Sequence, residues 1–378
     1  MRTETSKKRL MIPGPIDLEP EVLAALAQQV TSHYGSEWVK LYSQARDALR
    51  PYAQTDGQIF MLAASGSAGI DAAVGSMFAQ GERVLTVVNG YFSERLYLIA
   101  KANGLVADPI RLGPGFVASH ETIDQHLSKN KYAGLLICHS ETATGTLHDI
   151  EAISSVTSKH GVALLVDAVS SFGACEIRMD DWDISVCCTA SQKALAAPPG
   201  LAPIAVSDAS WDRIDRTGNT GRGWYKDLRV WRDTARDSAD YHPHPATMPV
   251  NIVRSLVKSL ELQTVEEPSI RFERMQKSAS SIRARLRELG YQPVAIESAA
   301  SPTVTCFYPP PQLKDRAEEI ATFVEEETNL VLARGTGELV DKVIRIGHMT
   351  TRAYGEYADD CLESLERFIR VQPSESTR

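Results

Sequence analysis

Positive charge is in the minority in this 378-residue chain, where 40 Lys and Arg stand against 48 Asp and Glu for a net charge of −8. That balance offers no electrostatic reason to expect nucleic acid or an anionic membrane as a partner. Long apolar runs are missing too. Nothing approaches the roughly 20 residues that cross a bilayer, and the polar opening 1–9 lacks the apolar core of a secretory leader, so the chain is expected in the cytoplasm. Cysteine is sparse: the six at 138, 175, 187, 188, 306 and 361 form no CxxC pair and no finger spacing. Most sit in apolar stretches where cysteine acts as a small hydrophobe, which fits a reducing compartment and gives no metal site. There is no internal repeat and no low-complexity tract.

What is present is an ordinary globular composition, 43% hydrophobic and 23% charged, in a chain long enough for a large domain and a smaller one. The expected division is an N-terminal arm (1–20), a large α/β domain (21–255) and a small C-terminal α+β domain (256–378). In the arm, Met11-Ile12-Pro13-Gly14-Pro15 reads as extended, because each proline bars helix at the residue before it. Helices are expected over 20–30 and 36–52, the second capped by Ser36. From residue 58 the pattern alternates. Short apolar strands near 59–63, 83–88, 106–110, 134–138, 162–166, 184–189 and 203–206 are mostly separated by helical patterns near 67–79, 92–103, 120–129 and 149–160. Such alternation predicts a mostly parallel, doubly wound sheet that binds ligands beyond the carboxyl ends of its strands. Residues 207–247, with many charges and three tryptophans, break the rhythm as a surface or interface excursion. Helices over 250–265 and 268–289 then lead to a strand–helix–strand–helix C-terminal part, and 372–378 reads as frayed.

Three stretches carry chemistry. Ala63-Ala64-Ser65-Gly66-Ser67-Ala68-Gly69 joins a strand to a helix, and its small residues let N–H groups and hydroxyls reach an oxyanion. A dinucleotide turn competes, but the full GxGxxG is missing and the next strand runs into Asn89-Gly90 without a ribose-binding acid; an empty tight turn is the third reading. Leu164-Leu165-Val166-Asp167 ends an apolar strand with an acid whose partner is a metal, a ribose hydroxyl or a protonated heterocyclic nitrogen. Ser191-Gln192-Lys193-Ala194-Leu195 places a lysine at another strand end, where it either snorkels to solvent or, with its pKa lowered by burial, reacts with a carbonyl. Phosphate cup, ring-nitrogen acid and imine-forming lysine together are what pyridoxal phosphate requires.

With those residues in place the chain resembles the class V aminotransferases of fold type I, within them the alanine–glyoxylate and serine–glyoxylate group. The likeness runs from Pro13-Gly14-Pro15 to Arg345-Ile346-Gly347 and centres on Ser-Gln-Lys-Ala-Leu followed by Ala-Pro-Pro-Gly. It implies a pyridoxal 5'-phosphate enzyme whose internal Schiff base is on Lys193. Ser65, Gly66, Ser67 and Gln192 would hold the phosphate, Asp167 the pyridine nitrogen, and Phe92, in Asn89-Gly90-Tyr91-Phe92, would stack on the ring. Thr142 would bond the ring oxygen, and Arg345 the substrate carboxylate. In a homodimer with shared sites, Thr247 would complete the partner's phosphate site. His244 stands where the family carries a tyrosine or similar residue, so its part is conditional on that exchange. Trp224, Tyr225 and His348 are candidates to shape the side-chain pocket.

The implied reaction moves an amino group from a small amino acid of the alanine or serine type to a 2-oxo acid of the glyoxylate or pyruvate type. A β-lyase or aldolase reaction on a specialised amino acid, or a non-catalytic scaffold, are the alternatives. Desulfuration is disfavoured, because Gln192 rather than histidine precedes the lysine and no cysteine lies between Phe307 and Arg345.

Overall fold

The structure is a computed structural model that describes residues 8–218 and 223–371. Seven strands build the large sheet: β1 (Gln58–Leu62), β2 (Arg83–Val88), β3 (Val106–Arg111), β4 (Gly134–Cys138), β5 (Ala163–Asp167), β6 (Val186–Cys188) and β7 (Ala202–Val206). Their order across the sheet is β1, β7, β6, β5, β4, β2, β3. β2 to β6 run parallel, while β7 is antiparallel to both β1 and β6. The central strands β4 and β5 are near-continuous apolar runs, as strands covered on both faces must be.

The helices α1 (Pro20–Leu26), α2 (Ser36–Ala53), α3 (Gly66–Met77), α4 (Tyr91–Ala102), α5 (His120–Lys129) and α6 (Ile150–His160) precede or alternate with the strands. Ser36 is not the cap of α2. Gly35, at φ 85°, takes that position, and Ser36 is the first helical residue. The segment after β7 is also more structured than its composition suggests. It forms α7 (Trp211–Thr217) and α8 (Leu228–Asp237), and Trp211 and Trp231 are buried in the main core, while Trp224 is exposed.

That core runs from Trp38 to Leu260 and so takes in most of α9 (Val250–Gln263). Leu256, Val257 and Leu260 pack with it. A second core forms around α10 (Pro268–Glu288), α11 (Ala317–Thr328), α12 (Glu356–Arg370) and a sheet of β8 (Gln292–Pro293), β9 (Val304–Tyr308), β10 (Ala333–Arg334) and β11 (Ile344–Gly347), ordered β8, β9, β11, β10.

Residues 9–11 tie the N-terminal stretch to the second core. Arg9 and Leu10 pair in parallel with Leu330 and Val331, and Met11 is fully buried in the second core. From there residues 13–15 cross to the end of the large sheet, where Gly14 lies against Lys193.

Candidate active site

The carboxyl ends of β4, β5 and β6 deliver Cys138, Asp167 and Cys188 to one edge, with Asp167 in register with both cysteines. Beyond that edge is a cavity of about 310 Å³. Ser65, Gly66, Ser67, Phe92, Thr142, Asp167, Gln192 and Lys193 all line it, so the structure brings together eight of the residues singled out in the sequence.

Ser65 is the N-cap of α3, its Oγ accepting from the N–H of Ala68 at 3.4 Å. The N–H groups of Gly66 and Ser67 stand at the helix start ahead of Ala68, where no intrahelical acceptor exists and the dipole favours an anion. Lys193 is buried, and its Nζ donates to the carbonyl of Pro13. Burial, then the nearby charge of Arg345, hold its pKa down at about 8, with Asp167 acting in the opposite sense. Burial pushes Asp167 the other way, up to about 6. Two donors oppose that rise: the N–H of Val169 at 3.0 Å to Oδ1 and the S–H of Cys138 at 3.4 Å to Oδ2.

Several neighbours went unassigned in the sequence. Glu141 is fully buried, and its carboxylate accepts from the N–H of Ser93 (2.7 Å), the Ser93 hydroxyl (2.8 Å), the N–H of Phe92 (3.3 Å) and the N–H of Ala143 (2.9 Å). One buried carboxyl group thereby caps α4 and fixes the loop carrying Thr142 against the helix carrying Phe92. A Cβ on Gly90 would fall 2.5 Å from the Glu141 side chain, which is why glycine occupies that place. Ser170 is buried within 2.5 Å of the Thr142 hydroxyl and also lines the cavity. Arg95, one helical turn after Phe92, lines it as well. Its position at i+3 from Phe92 was the available signal.

Arg345 does not line this cavity, but it is not the surface residue its alternating strand would suggest. It is buried, with Nε donating to the carbonyl of Arg334 at 2.8 Å and Nη1 to that of Thr142 at 3.3 Å. Its Nη2 is left over, and no carboxylate pairs with it among the described residues. Five other expectations fall outside the cavity. His244 is fully buried, with Nδ1 donating to the carbonyl of Ala246 at 2.7 Å and Nε2 accepting from Trp38 Nε1 at 2.7 Å. Both ring nitrogens are thus spent within the protomer, and burial lowers the pKa to about 4, so His244 has nothing left to offer a phosphate. Trp224 is 57% exposed, the Tyr225 hydroxyl bonds the Ala63 carbonyl, and His348 is held by Pro302 and Thr305. Thr247 is exposed and likewise does not line the cavity of its own protomer.

The family model described as Aminotransferase class-V matches residues 17–338. The chain belongs to the class V aminotransferases. It is 33% identical to an uncharacterized aminotransferase of Methanocaldococcus jannaschii, over 92% of this chain and 89% of that protein. It is 27% identical to the alanine–glyoxylate aminotransferase of Oryctolagus cuniculus, over 97% and 93% of the two chains. The crystal structure of an alanine–glyoxylate aminotransferase from Nostoc superposes with a TM-score of 0.90 at 27% identity, covering 98% of this chain and 97% of that one.

As a class V aminotransferase the protein is a pyridoxal-phosphate-dependent transaminase. The cavity suits that cofactor. Free N–H groups at a helix start match a phosphate, a carboxylate raised by burial awaits a cationic partner, Phe92 and Val169 offer apolar walls, and an amine sits at the bottom.

Proposed function

We propose that this aminotransferase passes the amino group of a small neutral amino acid, of the alanine or serine type, to a short 2-oxo acid of the glyoxylate or pyruvate type. The observation that carries the reading is the buried Arg345, with an uncommitted Nη2 and no paired acid among the described residues. An unpaired buried cation costs free energy unless an anion joins it, and a guanidinium suits a carboxylate. One such arginine fits a monocarboxylate, and the printed activity of the alanine–glyoxylate relatives points the same way.

In this reading Lys193 attaches the cofactor through Nζ. Ser65, Gly66, Ser67 and Gln192 hold the phosphate, Asp167 faces the ring nitrogen, Phe92 covers the ring and Thr142 bonds the ring oxygen. Pyridoxal phosphate, when bound, supplies an electron sink for the pair left when Cα loses its proton. Arg345 fixes the substrate carboxylate and so orients the Cα–H bond. Lys193, released as a free amine, takes that proton and returns it one atom further along. Its lowered pKa leaves roughly a tenth of it unprotonated at neutrality, far more than an ordinary lysine, and able to do so.

The reading includes a homodimer in which the exposed Thr247 reaches the partner's phosphate site. Mixing Lys193→Ala with Thr247→Ala protein tests this, because hybrid dimers would hold one intact site and recover activity that neither variant shows alone. The six free cysteines agree with a reducing cytoplasm. The substrate reading is tested by adding single amino acids to the cofactor-loaded protein and following the visible absorption of the cofactor. Alanine or serine should convert it, with the matching 2-oxo acid released; conversion by none would overturn the transaminase reading of these residues.

A further inference from the structure

Three charged side chains line the cavity, Arg95, Asp167 and Lys193. A phosphate monoester arriving at the start of α3 brings close to two negative charges, while the charge of Asp167, when ionised, is met by the protonated ring nitrogen it faces. The α3 N-terminus offsets roughly half a charge, and Lys193 gives up its own charge once it is attached to the cofactor. Charge balance therefore calls for one more cation beside the turn.

Arg95 stands there. Its Nη1 donates to Ser67 Oγ at 3.0 Å, so the guanidinium is one hydroxyl away from the phosphate-binding turn. Its carbon lies 4.9 Å from the centroid of Phe92 and 5.2 Å from that of Tyr91. Held over two rings, the planar fork loses little freedom on binding an anion, and most of its five N–H donors remain uncommitted. No acid forms an ion pair with it among the described residues. Its charge is also felt at Lys193, whose pKa it helps to lower.

We infer that Arg95 is an anion-binding residue of the site, supplying the cation that neutralises the cofactor's phosphate dianion while holding Phe92 in place. The inference rests on the reading of Ser65, Gly66 and Ser67 as the phosphate turn.

Comparing pyridoxal phosphate with pyridoxal, which lacks the phosphate, separates the two. Dissociation constants are measured by cofactor absorbance for wild type, Arg95→Met and Arg95→Lys, and calorimetry with inorganic phosphate is run on the cofactor-free proteins. Thermal melts of those proteins confirm folding. Arg95→Met should weaken pyridoxal phosphate at least tenfold, an effect of the order expected for one lost charge-assisted bond, and leave pyridoxal within about twofold. Its affinity for pyridoxal phosphate should also depend less on salt, and Arg95→Lys should recover part of the loss. Equal loss for both ligands would reduce Arg95 to a support for Phe92 and overturn the inference, as would no loss at all. If Ser67→Ala weakens pyridoxal phosphate and Arg95→Met does not, the turn stands and only the role of Arg95 falls. Wild-type protein that binds the two ligands equally well would remove both.

Discussion

A Cβ on Gly14 would lie 2.6 Å from Cδ and 3.0 Å from Cε of Lys193. The backbone there has φ 92°, which L side chains rarely adopt. Glycine at 14 is therefore the condition for the Pro13 carbonyl to reach the Lys193 amine. Gly14→Ala is expected to cost about 1–3 kcal/mol of stability from backbone strain and overpacking, and to weaken cofactor binding as Lys193 is displaced. Urea unfolding and a cofactor titration check the two parts.

Asp167 predicts a pH signature in the cofactor-free protein. Its carboxyl rises from 3.8 to about 6 on folding, so between those values the folded state binds the extra proton. Stability from this group is whole below pH 3.8, falls as pH climbs through 6, and changes no further above that, a penalty of about 3 kcal/mol when complete. Cofactor-free Asp167→Asn should thus unfold at higher urea than wild type at pH 7.5, and the gap should close by pH 4. A gap that widened towards acid would refute the burial account.

Glu141 ties together two halves of the site, and its loss is expected to be expensive. Glu141→Ala leaves the N–H groups of Phe92, Ser93 and Ala143 without their acceptor, at a cost of about 2–4 kcal/mol. Weaker cofactor binding should accompany the lower stability, since Phe92 and Thr142 lose their common anchor. Glu141→Gln, which keeps the acceptor oxygen, should recover part of both in parallel measurements.

For Arg345 the expected split is kinetic. Arg345→Met should leave cofactor absorbance and affinity near wild type, while kcat/KM falls by roughly two orders of magnitude or more through loss of a charge-assisted carboxylate contact. Steady-state kinetics with alanine, beside a cofactor titration, distinguish this from general damage to the site.

The alternating strands and helices of the large sheet were legible because parallel strands buried on both faces write themselves as apolar runs, and the ends found agree within a few residues. Asp167 and Lys193 were legible for a related reason: a charge at the end of such a run has few places to go. The antiparallel direction of β7 was not, since Ala202–Val206 carries the same apolar pattern whichever way it runs. Arg95 and Ser170 escaped because each stands a few residues after a more conspicuous neighbour, Phe92 and Asp167. Glu141 lay in plain view in His139-Ser140-Glu141-Thr142, but nothing in local spacing shows that α4 starts against it. His244 was placed by likeness alone, and Trp38, 206 positions away, claims its free nitrogen. Such long-range partners leave no local trace.

The pairing of Arg9–Leu10 with Leu330–Val331 also fixes what the start of the chain is worth. One short ribbon is anchored by Met11 in the C-terminal core at one end and bears on the reactive lysine at the other. Losing residues 9–15 would unplug the smaller core and bare the amine to water together, so a single strap couples the stability of one domain to the chemistry of the other.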